Sequence, residues 1–132
     1  MKKITENWIS MAENDLRAAE IIIKDDNPLT NIVVFHCQQA IEKYLKAFLV
    51  ENDIPLAKTH DLVRLNEMVQ KNKNLDIDEN MFDIINEVYV ESRYPTEFGL
   101  MSDATPTHKQ AMEFIEYVKE VKIVINNELS SN

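Results

Sequence analysis

FHCQQAIEKYLKAFL, Phe35 to Leu49, contains neither glycine nor proline, and after its first three residues it is mostly strong helix formers. Val33, Cys37, Ala40, Tyr44, Ala47 and Phe48 recur at helical spacing, and Val34, Ile41, Leu45 and Leu49 form a second apolar row beside them. So broad an apolar surface predicts a helix covered on two sides, the central member of a bundle. Its polar residues are as informative. Gln39, Glu42, Lys43 and Lys46 share one stripe, while Gln38 lies in the apolar row. A solvated face has no need of glutamines beside a core, so this pattern asks for partners.

The composition around this helix points the same way. A chain of 132 residues with 45% apolar and 28% charged residues fits one globular domain. One glycine and four prolines imply long helices with short connections and argue against a sheet. The net charge of −9, from 14 basic and 23 acidic residues, repels a phosphate backbone on average and argues against non-specific nucleic-acid binding, while a local basic pocket stays open to RNA. The single Cys37 excludes an internal disulfide and reads as a small buried hydrophobe. No apolar run approaches 18 residues, and the opening MKKITENW lacks the apolar core of a signal peptide. A cytoplasmic protein with no membrane association is expected.

Five helices are predicted. The first covers 6–24, with Thr5 as N-cap and an apolar stripe of Trp8, Met11, Ala12, Leu16, Ala19, Ile22 and Ile23. Asp15 falls inside that stripe and must be paired, to a lysine of the second helix or to Arg93. Asn27 and Pro28 suit an N-cap and first position for the second helix, which should end near Asn52 ahead of Ile54-Pro55. Thr59-His60-Asp61 opens a shorter third helix, Thr59 capping and Asp61 favouring the positive end of the helix dipole. Asp78 caps the fourth, whose face runs through Phe82, Ile84, Ile85, Val88 and Tyr89 to Arg93. TEFGLMSDATP is the longest irregular stretch. Thr105-Pro106 starts the last helix, with Ala111, Phe114, Ile115, Val118, Val121 and Ile125 inward. Residues 1–126 form the domain, and 127–132 are expected to fray.

Three dispersed histidines, His36, His60 and His108, give no metal-ligand spacing, and no glycine-rich phosphate loop occurs. No metal or cofactor is expected. The remaining candidate site is a polar cluster of Gln39, Lys43, Lys46, His60, Asp61, Arg93 and Tyr94, with Asp15 and Glu42 as its structural carboxylates. Arg93 reads equally as an anion-binding group or as a loop anchor paired with Asp15, Glu42 or Glu91.

HCQQAIEKYLKAFL, followed by THDLVRL and then ESRYP, and preceded by WISMAENDLRAAEIII, resembles the HEPN domain family of small helical proteins over roughly 8–125. The resemblance implies an all-α, up-down bundle of four main helices with a short additional one. It also implies a homodimer in which the Arg93 segments of both subunits face a shared cleft. Its expected role is that of a binding module paired with a minimal nucleotidyltransferase, toxin–antitoxin fashion, with a nucleotide or RNA as ligand. Apolar Phe98, Leu100 and Met101 independently suggest more apolar surface than one bundle hides, as a two-fold dimer would use. Many HEPN domains are metal-independent ribonucleases with four to six residues standing between an arginine and a following histidine. Here the positions that follow Arg93 at that spacing are Phe98, Gly99 and Leu100, so the motif is absent. Cleavage through a 2′-hydroxyl needs a positioned base and a cation. The alternative function is therefore a ribonuclease whose base comes from His60 or His108.

Overall fold

The computed structural model describes residues 1–56, 58–93 (backbone alone at 91–93) and 105–131. The chain forms α1 (Lys3–Ile23), α2 (Thr30–Glu51), α3 (Leu62–Asn72), α4 (Asn80–Arg93) and α5 (His108–Ser130), an all-α bundle with no strand among the described residues. Four are long and α3 is the short one, as expected. α2 packs against every other helix; α1 and α5 also touch each other, and so do α3 and α4.

The centrality of α2 follows from its sequence. Both apolar rows are buried, and residues 44–49 are buried without a break. Six consecutive buried residues exceed one helical turn, so the C-terminal half of α2 is covered on every face, more than the two faces expected. Around it, α1 contributes Ala12, Leu16, Ala19 and Ile23; α3 contributes Leu62, Leu65 and Val69; α4 contributes Phe82 and Ile85. The predicted stripe of α5 is buried throughout. Two predicted stripe residues are not core: Met11 is 46% exposed and Ile84 44%. Each sits one position away from a fully buried neighbour, Ala12 or Ile85, and so turns off the core axis.

Several helix ends differ from expectation. Thr5 does not cap α1; it lies within it, fully buried, and its hydroxyl donates to Glu51 at 2.8 Å. Asn27 and Pro28 precede α2, which starts at Thr30, and the Thr30 hydroxyl donates to the Pro106 carbonyl at 2.6 Å. α2 ends in a double reverse bond, Ile54 N–H to the Leu49 carbonyl and Asp53 N–H to that of Val50, with Asp53 at φ 58°. Aspartate tolerates this left-handed position, and the Lys2 ammonium pairs with its carboxylate. α3 is capped by Asp61, which accepts from Val63 N–H at 3.0 Å, while Thr59 accepts from Asp61 N–H at 3.1 Å. Asp78 does accept from Asn80 N–H at the start of α4. α5 begins later than Thr105-Pro106, at a capping box of Thr107 and Gln110. It also runs through the tail expected to fray, because Leu129, one turn beyond Ile125, is buried and holds it down.

Candidate functional site

At 100° per residue, Gln38, Glu42 and Lys46 stack in one row of α2, and Gln39, Lys43 and His36 lie beside it. α1 crosses this region from one side and the 58–61 connection from the other, so the polar side chains are covered rather than solvated. They resolve into two sets, each a carboxylate between a histidine and a lysine.

In the first, Asp15 of α1 lies 2.9 Å from His36 Nδ1 and 2.5 Å from Lys43 Nζ. The side chains of Asp15 and Lys43 are only 12% and 17% exposed. This is the pairing demanded of a carboxylate in an apolar stripe, and its partner is the lysine of α2. Asp15 thus ties α1 to α2.

In the second, Glu42 is 4% exposed and faces His60 Nδ1 at 2.8 Å and Lys46 Nζ at 3.7 Å. The Lys46 ammonium also stands 5.4 Å above the Trp8 ring. Gln38, 1% exposed, donates to the His60 carbonyl at 3.0 Å and accepts from Gln39 at 2.8 Å. The glutamines beside the core thus hold the backbone of the α2–α3 connection, while Glu42 holds the ring it carries. A carboxylate can only accept, so Nδ1 of His60 carries the proton and Nε2 is left as the basic nitrogen. The His60 side chain is 83% exposed. Beside it an open depression of about 350 Å³ is lined by Lys46, Leu56, Lys58, Thr59 and His60.

The structure therefore brings together Gln39, Lys46 and His60 of the predicted cluster, and gives Lys43 to the Asp15 set. Asp61 is held as the α3 cap, and its carboxylate also accepts from Asn86 at 3.2 Å. The Arg93 side chain, Tyr94, Phe98, Leu100 and Met101 lie outside the described residues. His108 opens α5 and is exposed. Reasoning from sequence missed His36, Trp8 and Lys58. Only His36 left a signal, one heptad before Lys43 on the same face. Among the described residues no group of histidine, cysteine and carboxylate side chains could hold a metal ion. Burial pushes the Cys37 thiol up to about 12, which keeps it protonated and inert as a nucleophile. No helix, among the described residues, is long and apolar enough to cross a membrane.

The family model of the HEPN domain matches residues 5–127, nearly the whole chain. No curated protein and no solved structure matches. The chain belongs to the HEPN domain family.

Proposed function

We propose that this HEPN-family chain is a homodimeric binding module that engages a minimal nucleotidyltransferase in a toxin–antitoxin-like pair and holds a nucleotide through its phosphates. What supports the ligand is one feature above all, the depression bordered by Lys46, Lys58 and His60 on a chain of net charge −9. Lys58 is exposed and has no ion pair among the described residues, so its charge is available to an anion. The His60 ring, when protonated, adds a second cation held in place by Glu42. Lys46 is already neutralised by Glu42 and serves more to shape the wall than to attract.

The experiment is calorimetric titration of ATP into the purified chain, with its mass followed by light scattering. A mass about twice 15.4 kDa is expected, with binding that weakens as salt rises and that falls at least tenfold in Lys58→Glu. A strict monomer without binding overturns the proposal. Co-purification with the product of the adjacent reading frame tests the partner.

The Glu42–His60 pair supports a second reading. A histidine oriented by a buried carboxylate, with Nε2 open to solvent, is the arrangement of a general base. A ribonuclease using it would take the 2′-hydroxyl proton on His60 Nε2, with Lys58 near the developing charge.

A further inference from the structure

A second surface, sharing no residue with the polar stripe, carries a different chemistry. Between the start of α4 and the outer face of α5 lies an open groove of about 540 Å³. Its floor is apolar, formed by Met81, Met112 and Tyr117. It continues into a narrower cleft past Ile77, Val121 and Val124, sharing Asp78, Tyr117 and Glu120 with it. From Lys109 to Val124 the combined trough follows α5 for about 22 Å, some four helical turns.

The rim is acidic. Asp76, Asp78, Glu113, Glu116 and Glu120 border the trough against a single lysine, Lys109. Of these carboxylates Lys119 relieves Glu116 alone, at 3.2 Å, and it is shared with Glu20 of α1 at 3.8 Å. Glu113 and Glu120 are exposed and have no ion-pair partner among the described residues. The field also reaches the floor: burial first, and then Asp78, Glu120 and Glu79, push the Tyr117 hydroxyl well above its ordinary pKa. Its proton stays on and donates to the Asp78 carbonyl at 2.6 Å.

We infer that this trough is a docking site for a basic, amphipathic helical segment of a partner protein. The floor suits an occupant with apolar residues at every third and fourth position, and unbranched methionines at 81 and 112 adapt to differing side chains. The rim selects the sign of its flanks. A second copy of this chain, at net charge −9, would bring like charge against five carboxylates, so the occupant is a protein of opposite charge rather than a self-contact. The inference does not depend on the nucleotide proposed for the depression at His60, whose residues are separate.

The test uses the full chain and a labelled helical peptide of about 18 residues, built from leucine and lysine in amphipathic order. Fluorescence anisotropy should show saturable binding that weakens steeply with salt. Glu113→Lys/Glu120→Lys, both at exposed positions, should weaken it at least tenfold, and so should Met112→Ser. Amide shifts in the NMR spectrum should cluster at residues 76–81 and 109–124. Equal binding of a scrambled peptide of the same composition would overturn the inference, by exposing general attraction to an acidic protein. So would binding of the glutamate-for-lysine counterpart, or indifference to both variants. If Met112→Lys instead changes the mass of the chain in solution, the trough is a self-contact and the inference also fails.

Discussion

Asp15→Ala would leave the Lys43 ammonium and the His36 ring facing a small apolar gap between α1 and α2. At an effective dielectric of about 20, unit charges 2.5 Å apart attract by roughly 7 kcal/mol. Removing both ions from water offsets several kcal/mol of that, and a residual loss of about 3 kcal/mol is expected when one partner is deleted. For a chain of 132 residues that corresponds to a fall in Tm of about 10 °C. Asp15→Asn keeps an acceptor toward one of the two donors, which meet different carboxylate oxygens, and should lose about half as much. Lys43→Met placed on the Asp15→Ala background removes the stranded charge and should restore about 1–2 kcal/mol. Urea unfolding at neutral pH, with slopes compared between variants, reads all three values. If Asp15→Ala and Asp15→Asn both stay within about 0.5 kcal/mol of the parent, or if Lys43→Met deepens the loss, the carboxylate is not the tie between these helices.

Ala40→Asp, at a fully buried position of α2, places an unpaired charge in the core and should abolish the cooperative melting transition; a Tm within about 2 °C of the parent would refute the placement. The Tyr44 hydroxyl is buried without a partner among the described residues, so Tyr44→Phe should leave stability unchanged or raise it by up to about 1 kcal/mol. A loss of that size in denaturant unfolding would instead reveal a hydrogen bond. Glu51 accepts from the Lys2 backbone N–H and then from the Thr5 hydroxyl, which hold its pKa below the ordinary value. Its stabilising contribution is therefore present above the ordinary carboxylate range and lost as pH falls through the lowered value. Glu51→Gln should melt below the parent at pH 7, and the gap should close in acid once the pH has fallen through the lowered value. A gap that is constant or widens in acid would contradict this.

The fold was legible because α2 states its surroundings in its own residues. Two apolar rows on one helix require cover, and ten of their ten named positions are buried. Helix ends were less legible. Threonines at 5, 59 and 105 look like caps in the sequence, and none of them caps its helix: tertiary contacts claim Thr5 for Glu51, Asp61 outcompetes Thr59, and Thr107, two residues past Thr105, caps α5. The site was half legible. That Asp15 and the glutamines needed partners followed from burying polar groups, but which partner each would find depends on how α1 and the 58–61 connection cross α2. His60 faces Glu42, eighteen residues away, only because Gln38 holds its carbonyl. Sequence spacing carries no trace of that.

The central proposal is that His60, held by Glu42, and Lys58 border the site of a binding module and not of a nuclease. Its most direct test is the integrity of a labelled single-stranded RNA incubated with the purified chain and excess EDTA, followed on a denaturing gel. Intact RNA is the predicted result, at protein concentrations where a nucleotide binds. Cleavage that persists in EDTA and disappears in both His60→Ala and Arg93→Ala would contradict it.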